Sequence, residues 1–286
     1  MGQTERVTLP LSTVIPTALF HDGPFRWRTA ARLIDESGWL QFDPDDLAGD
    51  LAEKAQILET DRADAFVVEP GSEHASAEAA ALIDAALRAE GHTGLADDHQ
   101  HPLERAARAI HEDLIVMERR DHGWVMTAGV VCFPTRWSPA EKIGRSMAAI
   151  HAPVPDYDTI ESAVDRLFDR LRPGVIVWRP NWSIVGEPDL RLPVRLRQAP
   201  SEMPADPAAE LWLRTERQTL RRLEQHDDAI LFTIRIHRWP LGEALAELDD
   251  SMAAELRALP DAVAAYKNLD SWRFELADRL DSGLRG

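Results

Sequence analysis

The sequence has almost no cysteine, since Cys132 is the single thiol in 286 residues. One cysteine excludes an intrachain disulfide, and it cannot supply the four thiolates of a typical iron–sulfur cluster. Absence of disulfides is typical of the reducing cytoplasm, where we expect this chain to reside. Cys132 lies inside an apolar run, which predicts a buried side chain that packs as a small hydrophobe.

Long hydrophobic runs and positive charge are also scarce. No segment approaches the roughly 20 apolar residues of a membrane-spanning helix, and the N-terminal MGQTERVTLP lacks a signal-peptide pattern. The 32 basic residues face 49 acidic ones, for a net charge of −17. We therefore expect no membrane and no nucleic acid as partner, whereas a cationic ligand is compatible with this balance.

Several common catalytic and nucleotide-binding motifs are absent from the sequence. It contains no GxGxxG, GxxxxGK[ST], HExxH, CxxC or GxSxG. The usual phosphate-binding loops, the zinc-protease helix and the serine nucleophile elbow are therefore missing.

The hydrophobic pattern predicts an α+β fold in which helices surround an antiparallel sheet. We expect one domain over 1–286, with an irregular arm at 1–45, a core at 103–239 and C-terminal helices at 241–281. Helices are predicted at 46–58, 76–90, 103–117, 140–150, 158–171, 207–223, 241–259 and 261–281. Strands are predicted at 65–68, 124–133, 175–179 and 229–239.

His151 is the candidate functional residue that spacing alone singles out. Pro153 and Pro155 follow it, and a proline fixes its own φ angle and does not continue a helix. The backbone of His151 is therefore expected at a defined helix end, which suits a metal ligand. The alternative is a structural histidine that bonds carbonyl groups at the end of the helix.

Lys54 falls on the apolar stripe of a predicted helix, together with Leu47, Leu51 and Leu58. A lysine that points inward is uncommon unless it is paired. Lys54 is therefore either a pocket residue or a helix-edge lysine whose ammonium group reaches solvent.

Three motifs together resemble a known family. They are GWVMTAGVVCFPTRWSPAEKIGRSMAAIHAPVP, RPNWSI at 179–184 and LRTERQTLRRL at 213–223. In this order they are similar to the haem-dependent oxidative N-demethylase alpha-subunit family. The resemblance implies a fold similar to haem-binding PAS domains. It also implies oxidative demethylation of small secondary amines such as dimethylamine, with haem b, O₂ and electrons from flavin and iron–sulfur partner subunits.

The resemblance implies an axial ligand for the haem iron. His151 is the first choice because a neutral imidazole suits iron. His111 ranks second, beside the apolar face of a predicted helix. Cys132 ranks third because no nearby cation in the sequence would lower the pKa of its thiol.

The resemblance also suggests which residues contact the haem carboxylates and the substrate. Arg145, Arg179, Asn181 and Arg217 are the expected cofactor-binding residues, since arginine binds carboxylates bidentately. Each arginine could instead form a structural salt bridge.

Glu216 and Glu187 are the candidates for binding a cationic amine, and Lys54 for donating to bound oxygen. Glu216 could instead pair with Arg217 or Arg221. If haem binds, Arg179, Arg217 and an acidic side chain should converge on one cavity.

A different function is compatible with the same motifs. The chain could be a non-catalytic sensor that binds haem or a small ligand, or a scaffold that has lost haem, because a fold does not fix a function. An enzyme of this kind would need a separate reductase, since the chain shows no flavin or iron–sulfur motif of its own.

Overall fold

The structure, a computed structural model, describes residues 20, 25–27, 30–96, 101–196, 202–248 and 251–284. Much of the predicted arm at 1–45 lies outside these residues, namely 1–19, 21–24 and 28–29. Within the described part of the arm, Arg32–Ile34 is a strand at the edge of the sheet, so the expectation of irregular structure is wrong there. No helix in the described residues is long and apolar enough to cross a membrane.

A seven-stranded antiparallel sheet organises the described chain. Its strands are β1 (Arg32–Ile34), β2 (Phe66–Val68), β3 (Asp113–Arg120), β4 (Gly123–Val130), β5 (Ile176–Val185), β6 (Trp212–Arg222) and β7 (Ala229–Pro240). They lie in the order β1-β5-β6-β7-β3-β4-β2. The predicted α+β architecture with an antiparallel sheet is therefore confirmed.

Helices flank the sheet and connect its strands. They are α1 (Pro44–Thr60), α2 (Arg62–Ala65), α3 (Glu73–Ala89), α4 (Pro102–Ala107), α5 (Met147–His151), α6 (Asp158–Arg170), α7 (Pro207–Glu210), α8 (Leu241–Glu247), α9 (Ser251–Ala258), α10 (Asp261–Tyr266) and α11 (Arg273–Asp281). The helices predicted at 46–58, 76–90 and 158–171 are confirmed, as are the strands predicted at 65–68, 124–133 and 229–239, apart from small shifts of their ends.

The largest correction concerns the segment predicted as a helix over 207–223. Only α7 is helical, and the rest is β6, which pairs with β5 and β7 along its whole length. Leucine, arginine, glutamate and glutamine favour a helix locally. Backbone hydrogen bonds to two neighbouring strands override that weak preference here.

The helix predicted over 103–117 is also wrong after Ala107. Helix α4 ends at Ala107, and Leu114, Ile115 and Val116 lie in the interior strand β3. All three are buried, as expected for β-branched and aliphatic residues in a strand covered on both faces.

Three other predicted helices are divided into shorter elements. The helix predicted at 140–150 is divided by Gly144, whose φ of 72° interrupts a right-handed helix. A 3₁₀ turn at Pro139–Glu141 precedes it, and α5 follows it. The two helices predicted over 241–259 and 261–281 are four, α8 to α11.

Strand β5 is longer than the predicted 175–179, since it continues through Pro180 to Val185. Proline has no backbone N–H and so cannot donate a hydrogen bond to a neighbouring strand. Among the described residues, β1 pairs only with Ile176, Val177 and Trp178 and does not reach Pro180.

The alternation of side chains along β6 defines two faces of the sheet. Glu216 and Gln218 lie on one face, which we call the Glu216 face. Arg217 and Thr219 lie on the other, which we call the Arg217 face. Adjacent residues of the same motif are therefore separated by the sheet.

Buried polar groups on the Arg217 face bind one another and the chain around Trp39. Arg217 donates to the carbonyl oxygen of Trp39 at 2.8 Å. Asp50 of α1 binds the Nδ1 atom of His111 and the guanidinium of Arg235, each at 2.7 Å. Burial alone would raise the pKa of Asp50, but the hydrogen bonds and charges of His111 and Arg235 prevail and lower its pKa to about 2.

The C-terminal helices pack against one end of the sheet. Trp182 of β5 and Trp239 of β7 join a hydrophobic cluster with Leu241, Leu256 and Leu276 from these helices. This packing fixes the segment between α10 and α11, which bears on the site described below.

We expect Asp50→Asn to lower the free energy of unfolding by about 3 kcal/mol at neutral pH, because Arg235 would lose a buried anionic partner. The native pKa of Asp50 lies below its ordinary 3.8. Its contribution is therefore complete above that value and is lost as the pH falls towards about 2.

Urea unfolding at neutral pH and near pH ~3 would measure this effect, and the difference from the wild type should shrink at the lower pH. Glu59→Gln, at an exposed position of the same helix, is the matched control and should change little. Equal effects of the two substitutions would contradict a specific role for Asp50.

Candidate functional site

His151 is the last residue of the short helix α5, and several contacts fix the position of that helix. The Ser146 side chain accepts from the backbone N–H of Ala149 at the start of α5. Ser146 also forms a β-bridge with Val125 of β4. Lys142 donates to the carbonyl oxygen of Ile150. The expectation that His151 stands at a defined helix end is confirmed.

Two contacts orient the imidazole ring of His151. Its Nδ1 atom lies 2.9 Å from the carbonyl oxygen of Met147, so Nδ1 carries the proton. The ring stacks on Tyr157, with centroids 4.6 Å apart and planes inclined by 7°. The Nε2 atom has no hydrogen-bond partner among the described residues.

The environment of His151 keeps the ring neutral. Burial lowers its pKa to about 4, and the nearby cations Arg179 and Lys142 add to this effect against the hydrogen bond to Met147. At neutral pH the Nε2 lone pair is therefore available. A neutral imidazole with one nitrogen anchored to a carbonyl is the form that binds metals.

Two buried donors near His151 have no partner in the described residues. They are the hydroxyl of Tyr157 and the Nε–H of Arg179. Arg179 is close enough to both His151 and Tyr157 to influence their pKa values. Unpaired buried donors are rare in proteins because each lacks the hydrogen bonds that water would offer. An acceptor-bearing ligand would satisfy both.

Glu216 is the anionic centre of the Glu216 face. Its Oε1 atom accepts from the hydroxyl of Thr135 at 2.6 Å. Its Oε2 atom accepts from the amides of Asn181 at 3.2 Å and Gln218 at 2.7 Å. All three donors are neutral, and no cation of the described residues lies within ion-pair distance of Glu216.

Three cations surround Glu216 at a greater distance. Arg179, Arg214 and Lys267 are each close enough for Glu216 to raise their pKa values, although burial lowers the pKa of all three overall. Arg179 donates to Gln218 at 3.1 Å, and its charge also lowers the pKa of His151. We call His151, Tyr157, Arg179, Glu216 and Gln218 together the His151–Glu216 site.

Lys267, which follows α10, contacts strand β5 at Trp182. Its ammonium group donates to the carbonyl oxygen of Trp182 at 2.6 Å and lies 4.2 Å from the centre of the Trp182 ring. Burial lowers the pKa of Lys267 to about 8, against the opposing charge of Glu216.

Arg217 does not join the residues of the Glu216 face. It lies on the other face of the sheet, where its guanidinium binds the backbone of Gly38 and Trp39. The expected convergence with Arg179 and an acidic side chain is therefore wrong for Arg217, because successive residues of a strand point to opposite faces.

The other expected site residues lie elsewhere. Arg145 is exposed, and its described hydrogen bonds are made by its backbone, which accepts from the N–H of Met126 and donates to the carbonyl oxygen of Lys142. Glu187 binds Arg136 at 3.1 Å, next to Thr135 but without contact to Glu216.

Lys54 is fully buried and contacts none of the residues of the His151–Glu216 site. It donates to the carbonyl oxygens of Glu112 at 2.5 Å and Ala107 at 3.3 Å, and it lies 3.6 Å from Asp113. Its contacts are those of a paired structural lysine, so the prediction of a catalytic pocket residue finds no support in its position.

The two alternative ligands are less suited to a metal than His151. Both ring nitrogens of His111 are occupied, one by Asp50 and the other by the backbone N–H of Asp43 at 3.2 Å. Cys132 is fully buried, and burial together with Asp113 raises the pKa of its thiol to about 12. Cys132 is therefore a thiol at neutral pH, as expected for a small core residue.

Sequence reasoning missed Thr135, Tyr157, Gln218 and Lys267 as members or neighbours of the site. Gln218 could have been identified, because a strand over TERQT places Glu216 and Gln218 two residues apart on one face of the sheet. Tyr157 lies six residues from His151, but no pattern indicated the stacking of their rings.

The groups that this site offers determine which kinds of ligand it can bind. It offers one neutral imidazole nitrogen, unpaired donors for an anionic or carbonyl group, and a carboxylate without an ion pair. No cluster of three metal-ligating side chains exists among the described residues.

A family model described as haem-dependent oxidative N-demethylase, alpha subunit-like, matches residues 85–277, about two thirds of the chain. The match runs from α3 into α11 and includes β3 to β7. All of the His151–Glu216 site lies inside it.

Cys132 is expected to resist thiol reagents in the folded protein, because its pKa of about 12 leaves almost no thiolate at neutral pH. A chromogenic disulfide reagent should release no colour from native protein and one equivalent per chain in denaturing urea, in line with the single cysteine. Rapid reaction of the native protein would show that Cys132 is more acidic or more accessible than its position indicates.

Proposed function

Because the chain belongs to the haem-dependent oxidative N-demethylase, alpha subunit-like family, we propose that it binds haem b and demethylates a small secondary amine such as dimethylamine. Dioxygen is the oxidant in this proposal. Electrons come from partner subunits that carry flavin and iron–sulfur centres, since the one thiol of this chain cannot hold such a cluster.

The observation that carries the proposal is the state of His151. Its ring is neutral, its Nδ1–H is anchored to Met147, and its Nε2 atom is free of partners in the described residues. A histidine that would hold haem iron needs these properties. A bound haem would supply the iron that activates O₂ for oxidation of the substrate methyl group.

The surroundings of His151 also fit the acidic groups of haem. Arg179 and Tyr157 each hold an unpaired donor, and carboxylates accept such donors strongly. Helix α6 adds Ile160, Val164 and Leu167, which are only half-buried and so retain apolar surface for a flat ring. These residues orient the cofactor and limit the access of water.

Glu216 is the proposed binding group for the amine. A dialkylamine is a cation at neutral pH, and Glu216 holds its charge between neutral donors, without an ion pair in the described residues. The ammonium would therefore gain a charge-assisted hydrogen bond that no protein cation in contact competes for.

We also propose that the sheet is PAS-like. The hairpin β3–β4 pairs through β3 with the last strand of the meander β5–β6–β7, and helices α5 and α6 lie in the crossover. This arrangement resembles the sheet of a PAS domain. The edge strands β1 and β2 lie outside the matched residues, which supports treating them as additions to that core.

Haem binding is expected to depend on His151. Protein reconstituted with haemin should show a Soret band, and His151→Ala should lower haem affinity at least about 10-fold and change the spectrum. Added imidazole should restore the original coordination. The control is His122→Ala, which removes an exposed histidine of the β3–β4 turn and should leave the spectrum unchanged.

Two results would overturn parts of this proposal. A wild-type protein without a Soret band would remove haem binding altogether. An unchanged spectrum in His151→Ala would remove only the ligand assignment. Haem binding without turnover would favour the alternative of a non-catalytic sensor.

Amine binding is expected to depend on Glu216. With a reductase and NADH, Glu216→Gln should raise the KM for dimethylamine by about 30-fold, because a desolvated ammonium would lose its charged partner. Formaldehyde release measures this reaction. Glu187→Gln is the matched comparison, and a loss confined to that variant would transfer the binding role to Glu187.

A further inference from the structure

Two arginines reach Glu216 only through intermediate side chains. The first path runs from Arg214, whose Nε–H donates to the Thr135 hydroxyl at 3.0 Å. The same hydroxyl lies 2.6 Å from Glu216 Oε1. Because its lone pair accepts from Arg214, the Thr135 proton is directed to Glu216.

The second path runs from Arg179 through Gln218. An arginine nitrogen donates to Gln218 Oε1 at 3.1 Å, and Gln218 Nε2 donates to Glu216 Oε2 at 2.7 Å. The arginine fixes which end of the amide is the oxygen, since only the oxygen can accept. Gln218 is 8% exposed, so solvent competes little for these bonds.

The two arginines differ in how firmly they are held. Arg214 is 1% exposed and also donates to the carbonyl oxygens of Phe133 at 2.9 Å and Leu190 at 2.8 Å. Burial lowers its pKa to about 10, so Arg214 is still charged at neutral pH. Arg179, in contrast, has an Nε–H without a partner in the part of the chain that the structure describes. The arginine of the Thr135 path is therefore held by protein groups, whereas Arg179 has a donor left for a ligand.

Both paths have the same physical effect on Glu216. A donor that itself accepts a hydrogen bond from a cation is polarised and donates more strongly. Each carboxylate oxygen is thus held in place by a directed donor, while the cation that polarises it stays out of contact. The carboxylate is thereby held in a fixed orientation.

We propose that Arg214, acting through Thr135, and Arg179, acting through Gln218, are positioning residues that hold the Glu216 carboxylate for a cationic ligand. This inference rests on the proposed role of Glu216 in binding the amine. Thr135 and Gln218 are the specific intermediaries, and the Thr135 hydroxyl is the group whose removal tests the idea most directly.

The test compares Thr135→Val with Thr135→Ser in the haem-reconstituted protein. Valine has nearly the same shape as threonine but no hydroxyl, whereas serine keeps the hydroxyl. Dimethylammonium affinity, measured by titration calorimetry, should fall by about 10-fold in Thr135→Val, because a hydrogen bond to a charged group is lost. In Thr135→Ser it should stay within about 2-fold of the wild type.

Thr215→Val is the matched control. Thr215 precedes Glu216 in β6 but faces the other side of the sheet, and its buried hydroxyl has no partner in the described residues. The same chemical change there should leave amine affinity unaltered. Melting temperatures of all variants separate loss of folding from loss of orientation.

The outcomes distinguish this inference from the proposed function. If Glu216→Gln weakens amine binding but Thr135→Val binds like the wild type, the positioning role is overturned and the amine site stands. Weakened binding in Thr135→Ser equal to that in Thr135→Val would also overturn it. If Glu216→Gln itself binds amine normally, the proposed amine site fails, and the positioning role fails with it.

Discussion

The pairing of β6 with a strand on each side is the constraint on which the rest of the structure depends. It forces the charged side chains of the TERQT segment to alternate between two faces. Arg217 therefore cannot pair with Glu216, its neighbour in sequence. It needs acceptors on its own face and finds them in the carbonyl groups of Gly38 and Trp39. The chain before α1 is thereby fixed against the sheet, and Glu216 keeps neutral donors on the opposite side.

The position of His151 was predictable because its causes are local. Two prolines limit the backbone after it, and the structure ends α5 at His151. The strand character of β6 was not predicted, because Asp206-Pro207 starts a true helical turn and the residues after it favour a helix. Only the neighbouring strands decide between the two states. A strand in this segment places Arg217 and Glu216 on opposite faces, which the resemblance to the family did not indicate.

The remaining site residues could not be inferred from one sequence because their contacts are long-range. Thr135 and Glu216 are 81 positions apart, and Lys267 and Trp182 are 85 apart. The hydroxyl of Thr135 becomes a directed donor only when Arg214 is placed beside it by the fold. The sequence positions of Thr135 and Arg214 do not indicate that these side chains form a hydrogen bond. The same holds for Gln218, whose amide orientation depends on Arg179 from another strand.

Arg179 acts on two parts of the His151–Glu216 site, namely on His151 and, through Gln218, on Glu216. On one side its charge helps to keep His151 neutral, and its Nε–H has no partner among the described residues. On the other side it orients Gln218 towards Glu216. An anionic group bound by Arg179 would offset a positive charge that lies near Glu216 without contacting it. Acidic groups of a cofactor and a cationic substrate would then stabilise each other through one arginine, since each removes a charge that opposes the other.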